Sequence, residues 1–524
     1  MSAALEDLPN DVAALRALLL AERAHHASEL AERDSRLERL MAMLQTLRRA
    51  QFGRRSEKFD PAQLALALED LEIAVAAAQA DEEKHDKVRS TPRRAETKRV
   101  PLPAHLPRIE QVLEPDSTAC PCCNGAMHRI GEDRSERLDV IPAQYRVLVT
   151  RRPKYACRAC EGAVVQALAP ARLIEGGLPT EATVAHVLVN KYANHLPLYR
   201  QWQILARQGI DVDRSNLALW TGRGAFLLAP VVHRMLERLK SSAKLFCDET
   251  RAPVLDPGRG RTKTGYLWAI ARDDRPWGGA DPPAVVYLYA PGRGGEHALR
   301  HLAGFAGVLQ VDGYTGYNAL ANPARAGGAV ILAYCWSHFR RQFYDIAKGG
   351  NAPIASQTLA RIAQLYAIED SIRSQPAPQR QAVRQQRTRP LVDELFAWLE
   401  VQLRLVPKGA KIADAIRYGF NHQDGLRRFL DDGRIEIDTN TVERTIRPIA
   451  LNRKNSLFAG HDEGAVHWGV VASLVESCKL NDIEPQAYLT DILTKLVDGW
   501  PMRRLDELLP WVWAQQHGAD KLGR

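Results

Sequence analysis

Two acidic residues follow short, mainly apolar runs in this sequence of 524 residues, and carboxylates placed there are the first candidates for chemistry. Asp248 follows the run 245–247 and Asp312 follows the run 309–311, so each acid ends a predicted strand. A charge at such a place is costly unless it binds something, and a metal ion is the natural partner. Gly313 lets the backbone turn sharply after the second strand. One such acid is usually a turn or cap residue, but two in one sheet favour a metal site.

A third acid, Glu443, lies in a segment with helical spacing. The apolar side of this helix carries Val442 and Ile446, and its polar side carries Asn440, Glu443, Arg444 and Arg447. Pro448 is expected to end or kink the helix. On spacing alone, Glu443 is either a functional acid or only the surface partner of Arg447, one turn later.

Two cysteine pairs have the spacing of metal ligands: Cys120 with Cys123, and Cys157 with Cys160. In a reducing cytoplasm such pairs indicate metal ligands rather than disulfides, and four thiolates suit tetrahedral Zn²⁺. Cys122 is a competing ligand in the first pair, and residues 145–150 between the pairs have the pattern of a strand. Because the protein fills all four positions, the predicted zinc site is structural.

The charge balance favours a polyanionic partner. Lys and Arg number 71 against 62 Asp and Glu, which gives a formal net charge of +9 and a pI near 9.1. Nucleic acid is the leading candidate, although plain basic enzymes have a similar excess. Glu6, Asp7 and Asp11 precede the apolar segment 12–20, so it is not a secretion signal. No window approaches the roughly 18 apolar residues of a membrane span, and we expect a cytoplasmic protein.

The N-terminal region is expected to form a coiled coil with a basic end. Leu30, Leu37 and Leu44 recur at seven-residue steps, which favours self-association over a lone helix packed on its own domain. Arg54 and Arg55 lie in the basic stretch that follows, which either binds phosphates or is a solvated face.

A helical region before residue 230 is predicted to contain a helix-turn-helix. Its helices would cover 197–208 and 213–223, with Gly209 in the turn between them. The second helix would present Arg214, Asn216 and Arg223 outward, as a DNA-reading helix requires. Helix pairs of this kind are common in all proteins, so DNA binding here is a hypothesis.

The remaining pattern predicts a multidomain α+β chain with an α/β core. Predicted strands are 244–250, 265–272, 284–289, 307–311 and 328–335, with a helix at 296–305. Residues 345–430 return to helical patterns, so the mixed sheet carries a helical insertion. The predicted domains are a coiled coil with a basic end at 1–60, a helix and linker at 61–104, a zinc-binding domain at 105–172, a helix-turn-helix-like segment at 173–240, the first part of the core at 241–345, the insertion at 346–430, the core segment with the third acid at 431–480 and a C-terminal helical segment at 481–524.

These motifs resemble the IS66 family of insertion-sequence transposases, members of the wider DDE class, and the resemblance covers nearly the whole chain. The matching stretches are 52–58, the two cysteine pairs, 153–157, 248–250, 311–317, 336–341, 437–444 and 453–455. The resemblance implies a ribonuclease-H-like core in which Asp248, Asp312 and Glu443 are the catalytic acids, with a helical insertion before the third. Thr439 and Ser456 depart from the family pattern, which has Asn and Trp there.

The implied reaction is metal-dependent cleavage at the ends of the element, followed by attack of the freed 3′-OH on target DNA. Hard oxygen ligands without a nearby His or Cys suit Mg²⁺ or Mn²⁺. Basic residues near the acids would contact DNA phosphates, namely His338, Arg340, Arg341, Arg444, Arg447, Arg453 and Lys454. Companion proteins of the same element are implied partners, beside the homo-oligomer expected from the coiled coil.

Two other functions fit part of this pattern. A zinc ribbon, a helix-turn-helix and a coiled coil would suit a DNA-binding regulator without catalysis, but such a regulator leaves the three acids unexplained. Another ribonuclease-H-like nuclease, such as a resolvase or integrase, would share the acids and the metal. The N-terminal zipper and the zinc segment argue against that second alternative.

Overall fold

The computed structural model describes residues 144–156, 164–256 and 261–518, together with 11–17, 19–24, 27 and 122. By its internal contacts the chain divides into two units, residues 1–143 and residues 144–524. In the first unit, the described residues 12–17 and 19–24 are helical. The leucines that predict the coiled coil lie outside the described residues, and so does the predicted linker.

The second unit contains short strands, one larger sheet and many helices. Its strands are β1 (Lys154–Ala156), β2 (Val164–Gln166), β3 (Lys244–Asp256), β4 (Arg261–Arg272), β5 (Ala284–Ala290), β6 (Val308–Val311) and β7 (Ile331–Tyr334). Its α-helices are α1 (Glu181–Tyr192), α2 (Leu198–Arg207), α3 (Arg214–Lys240), α4 (Gly295–His301), α5 (Trp336–Ala347), α6 (Pro353–Ser371), α7 (Ala377–Val383), α8 (Arg389–Leu405), α9 (Lys411–Asn421), α10 (Gln423–Asp431), α11 (Asn440–Ser456), α12 (Asp462–Leu480), α13 (Pro485–Val497) and α14 (Pro510–Gln516). Among the described helices, none is both long enough and apolar enough to cross a bilayer.

β3 lies at the centre of a five-stranded mixed sheet with the order β5-β4-β3-β6-β7. On one side β4 is antiparallel to β3 and β5 to β4, and on the other side β6 and β7 are parallel to β3. The predicted mixed sheet is therefore confirmed, with all five of its strands. β3 and β4 extend beyond their predicted ends as a hairpin arm, because they pair with each other as far as Asp256 and Arg261. Asp248 therefore lies within β3, and the expectation that it ends its strand is wrong.

Residues 145–150, predicted as a strand, have no regular structure, so that prediction is wrong. The side chains of Val147, Leu148 and Val149 are exposed, and no strand within the described ranges pairs with them. A sequence rich in β-branched and aromatic residues forms a strand only where a neighbour supplies hydrogen bonds. The antiparallel pair β1 and β2 follows instead.

The predicted helix pair is present as α2 and α3, with Gly209 at a φ of +75° between them. This left-handed conformation is the one that favours glycine. The second helix is longer than predicted, because α3 runs for 27 residues to Lys240. Its buried residues continue at helical spacing into the core of the sheet, so packing carries the helix past residue 223.

Helix α12 covers the hydrogen-bonding groups along β5, the strand at one edge of the sheet. Ser473 Oγ accepts from the Tyr287 N–H at 2.8 Å. Ser477 Oγ accepts from the Val285 N–H at 3.1 Å and donates to the Val285 carbonyl at 3.0 Å. A Cβ at Gly469 would lie 2.6 Å from the Tyr287 carbonyl oxygen, so glycine permits this close approach. The serines thereby provide hydrogen-bond partners for backbone groups of β5 that would otherwise be open to pairing with another chain.

Helices α6 to α10 form a helical insertion between β7 and α11, in agreement with the helical pattern predicted for 345–430. Together with α5 they enclose an apolar core of their own, which includes Phe339, Ile362, Phe396 and Phe429. A second core lies between the sheet and α1, α3, α12 and α13.

Helix α11 continues through Pro448 to Ser456, so of the two expected outcomes, an end or a kink at this proline, the first does not occur. Val442 and Thr445 are buried before the proline and Ile449 after it. The Tyr287 hydroxyl also donates to the Thr445 carbonyl at 2.6 Å. The helix therefore continues because the packing of both turns stabilises it by more than the loss of the hydrogen bond that the proline cannot donate.

Candidate active site

Asp248 and Asp312 lie side by side at the centre of the sheet. β3 and β6 are parallel with Phe246 opposite Gln310, and the same register continued by two residues places Asp248 beside Asp312. Asp312 follows the last residue of β6, and Gly313 then takes a φ of +98°. The predicted sharp turn after the second acid is confirmed.

Glu443 approaches these two acids from the first turn of α11. The helix packs on β3 and β4, while the Glu443 side chain stays 38% exposed. Thr439 Oγ1 donates a hydrogen bond to Glu443 Oε1 at 3.3 Å. Val442 is buried and Arg444 and Arg447 are exposed, as the helical spacing predicts.

The pKa of Asp248 is raised to about 8. Burial is the largest cause, and the nearby carboxylates of Glu249, Asp312 and, more weakly, Glu443 raise it further. The Glu249 N–H opposes this effect by donating to Asp248 Oδ1 at 2.8 Å. Carboxylates crowded in this way are stabilised by a bound cation. Three such donors from three elements fit a hard divalent metal ion.

A fourth acid, Glu249, lies beside Asp248, and its role is not predicted from the sequence. Its side chain is fully buried, and both of its oxygens are occupied. Arg293 Nε donates to Glu249 Oε1, and the Tyr317 hydroxyl donates to Oε2. Burial raises the pKa of Glu249, while these two donors oppose the rise.

Arg293 lies at the edge of the acidic cluster, in the loop between β5 and α4. Its Nη2 is 3.7 Å from Asp312 Oδ2, and its guanidinium lies 3.9 Å from the centre of the Tyr314 ring. The side chain is 41% exposed. A lone arginine between glycines carries no pattern that relates it to distant acids, so sequence reasoning misses it.

The helical insertion holds the turn that follows Asp312. The Tyr418 hydroxyl donates to the Asp312 carbonyl at 2.9 Å, and His422 Nε2 lies 3.2 Å from the Gly313 carbonyl oxygen. A Cβ at position 313 would come within 2.7 Å of the Tyr418 hydroxyl. Glycine is therefore required there by packing as well as by the backbone angle.

A second link fastens the segment before α11 to both β6 and the insertion. The Gln310 side chain accepts from the Glu436 N–H and donates to the Glu436 carbonyl, each at 2.9 Å. The Glu436 carboxylate in turn accepts from Arg380 of α7 at 2.8 and 3.1 Å. These bonds fix the start of α11 relative to β6, and so position Glu443 relative to Asp312.

His338 and Cys335 lie beside Glu443, so the expectation that no His or Cys is near the acids is wrong. One ligand atom from each of these three residues lies within 4.8 Å of the others, and His338 Nδ1 is 3.8 Å from Glu443 Oε1. The chain leaving β7 meets the start of α11 here, where the Thr439 N–H donates to Cys335 Sγ at 3.3 Å. Burial raises the pKa of the Cys335 thiol to about 12, so the carboxylates remain the anionic donors.

The other basic residues predicted near the acids lie on α11 and α5. Arg444, Arg447 and Lys454 are exposed on α11, whereas Arg453 is partly buried and donates to the Arg251 carbonyl of β3. Arg341 is exposed on α5, 3.9 Å from Asp345. Arg444 and Arg447 follow Glu443 on the helix that carries this third acid.

The predicted DNA-reading residues lie at the start of α3, with Arg214 and Arg223 exposed and Asn216 partly buried. The Arg214 guanidinium lies 5.8 Å from the centre of the Trp202 ring on α2. Six predicted site residues lie outside the described residues: Arg54, Arg55, Cys120, Cys123, Cys157 and Cys160.

Four family models match the chain. The model described as "Transposase IS66 family" covers residues 176–467, more than half of the chain. The "zinc-finger binding domain of transposase IS66" covers 117–161, and the "IS66 C-terminal element" covers 473–511. A fourth model, "Transposase C of IS166 homeodomain", covers 39–110.

Full-length relatives occur in Sinorhizobium fredii (strain NBRC 101917 / NGR234). The chain is 44% identical to uncharacterized protein y4qI, over 96% of this chain and 97% of the relative. It is 44% identical to uncharacterized protein y4jD over 100% of both chains. Uncharacterized protein y4hP is 35% identical over 91% of this chain and 89% of its own length.

Proposed function

This chain belongs to the IS66 transposase family, and we propose that it catalyses metal-dependent cleavage at the ends of an insertion sequence and transfer of the freed 3′-OH into target DNA. The observation that carries the proposal is the convergence of Asp248, Asp312 and Glu443 from β3, β6 and α11. A ribonuclease-H-like core is part of the proposal. Its support is the central β3, with antiparallel β4 and β5 on one side and parallel β6 and β7 on the other.

Asp248, Asp312 and Glu443 would hold Mg²⁺ or Mn²⁺ through carboxylate oxygens. When bound, the metal supplies activation of the attacking oxygen and stabilisation of the leaving 3′ oxygen during in-line displacement. The protein orients these acids through its own contacts: Tyr418 holds the Asp312 carbonyl and Thr439 holds Glu443. These hydrogen bonds would keep the carboxylates in place while the DNA strand is cut and joined.

The exposed side chains of Arg444, Arg447 and Lys454, with Arg341 and His338 on α5, would contact DNA phosphates beside the site. Arg453 is a weaker candidate, because it already donates to a backbone carbonyl. Four further residues would also contact DNA, outside the site formed by the acids. They are Arg214 and Asn216 on α3, and Arg54 and Arg55 near the N terminus.

We extend the proposal to a structural Zn²⁺ on Cys120, Cys123, Cys157 and Cys160, since the zinc-finger model covers both cysteine pairs. The proposal also includes self-association through the N-terminal coiled coil and binding of companion proteins of the same element. The reaction would take place in the bacterial cytoplasm, on DNA of the nucleoid.

The test is cleavage and strand transfer on end-labelled duplexes that tile the DNA on either side of the gene, with Mg²⁺ and with the proteins encoded beside it. The intact protein should cut one duplex and join its 3′ end to a second DNA. Asp312→Ala and Glu443→Ala should bind that duplex without cutting it, while Glu400→Ala, which removes an exposed acid from the insertion, should cut normally. Equal cutting by the first two variants would overturn the assignment of the acids.

A further inference from the structure

Arg293 is the cationic side chain held against the acidic cluster from the side of β5. From its contacts we propose that Arg293 binds a nonbridging oxygen of the DNA phosphate that is cut, and is therefore a catalytic residue beside the three acids. This inference rests on the proposed function, because it names a group that would contact the substrate of that reaction.

The Arg293 side chain is already fixed in one orientation. Its Nε donates to the buried carboxylate of Glu249, and its guanidinium lies over the face of the Tyr314 ring. The Tyr314 hydroxyl donates to the Arg293 carbonyl at 3.1 Å, which holds the loop to the same ring. An arginine held at three points loses little further freedom when it binds a ligand.

The two Nη groups of Arg293 are the donors that its hydrogen bond to Glu249 leaves available. Among the hydrogen bonds of the described residues, neither Nη group has an acceptor, because the 3.7 Å from Nη2 to Asp312 Oδ2 is longer than a hydrogen bond. The side chain is 41% exposed, so another molecule can reach these groups. Two adjacent N–H groups of a guanidinium match the spacing of two phosphate oxygens.

Glu249 is better suited to anchor Arg293 than to bind metal. Both of its oxygens already accept hydrogen bonds, from Arg293 and from Tyr317, and its side chain is inaccessible. If Arg293 only neutralised Glu249, neither its contact with the Tyr314 ring nor its available Nη groups next to Asp312 would be needed. In-line displacement spreads negative charge over the nonbridging phosphate oxygens, and a preorganised cation there favours the transition state.

The experiment uses duplexes with a methylphosphonate at the cut position, each diastereomer separately, because this group replaces one charged oxygen with an uncharged methyl. On natural DNA, Arg293→Ala should slow single-turnover cleavage by about 100-fold. One diastereomer should slow the intact protein to a similar extent and should slow Arg293→Ala no further. Arg300→Ala, which removes an exposed arginine of α4, should match the intact protein on every substrate.

The inference is overturned if both diastereomers slow Arg293→Ala by the same factors as the intact protein. Arg293→Lys keeps the charge beside Glu249 but loses the planar pair of donors, so it should show the same loss of sensitivity if the alanine variant fails to fold. Asp312→Asn, run in parallel, separates the two claims. If Asp312→Asn cuts normally, the proposed function fails; if it is inactive and the diastereomer effects stay unchanged in both Arg293 variants, only the role of Arg293 fails.

Discussion

Two clusters of acids and arginines in this protein use the same residue types and differ in their balance. At the insertion, Glu369 of α6 and Glu436 of the segment before α11 meet Arg380 and Arg384. Arg384 forms a double hydrogen bond to Glu369 at 2.8 and 2.7 Å. This insertion cluster has one positive charge for each negative one, and both arginines are almost fully buried.

The cluster at the sheet is unbalanced and open. There Asp248, Glu249, Asp312 and Glu443 gather together, and Arg293 contacts two of them. Charged residues in the interior are therefore not by themselves a sign of function. A balanced and enclosed cluster holds helices together, whereas an acidic excess that is partly exposed is stabilised by a cation and so supports the metal site proposed above.

The largest expected effect is on catalysis. Asp248→Asn should lower the cleavage rate by about 1000-fold or more, because it removes a metal ligand from the unbalanced cluster. The same substitution should raise the melting temperature of the metal-free protein, because it removes a carboxylate held among like charges. Cleavage assays and thermal unfolding in EDTA measure the two effects, and a lower melting temperature would contradict the comparison.

The next effect is on stability, in the balanced cluster. Glu369→Gln should reduce the free energy of unfolding by about 3–5 kcal/mol, because it leaves the buried Arg384 without its counter-ion. Denaturant unfolding checks this value. The double variant Glu369→Leu with Arg384→Met should recover much of the loss, since apolar groups of similar volume need no partner. If the single variant unfolds like the intact protein, the insertion cluster is not structural.

Mg²⁺ should stabilise the protein through the unbalanced cluster alone. Mg²⁺ at about 100 times its dissociation constant should add about 2.7 kcal/mol to the free energy of unfolding, and EDTA should remove this gain. The gain should be lost in Asp312→Asn and kept in Arg380→Lys, which lies in the insertion cluster. Equal stabilisation of both variants by Mg²⁺ would place the metal elsewhere.

The smallest effect concerns the contact between the helical insertion and the acids at the sheet. Tyr418→Phe should lower stability by about 1 kcal/mol and slow cleavage several-fold, because the Asp312 carbonyl loses its hydrogen bond from the insertion. Tyr344→Phe on α5 removes a hydroxyl away from Asp312 and serves as the control. An unchanged cleavage rate for Tyr418→Phe would show that the insertion does not position the second acid.

Local patterns predict the strands, Asp312 and the turn at Gly313, because a buried strand ending in an acid is visible in a few neighbouring residues. The same pattern singles out Asp248, but that residue lies within β3, which continues to Asp256. The length of α3 and the continuity of α11 through Pro448 are not predicted, since packing of distant segments decides both. The supporting residues Arg293 and Tyr418 are missed for the same reason. Their partners lie far away in the sequence, and only the folded chain brings them together.

The central claim is that Asp248, Asp312 and Glu443 form one divalent-metal site. The most direct measurement is an electron paramagnetic resonance titration of Mn²⁺ with the intact protein, with Asp248→Asn, Asp312→Asn and Glu443→Gln, and with Glu369→Gln as a control. We expect tight Mn²⁺ binding by the intact protein, its loss in all three active-site variants, and its retention by the folded fraction of the control. Undiminished binding by Asp248→Asn, Asp312→Asn or Glu443→Gln would contradict it.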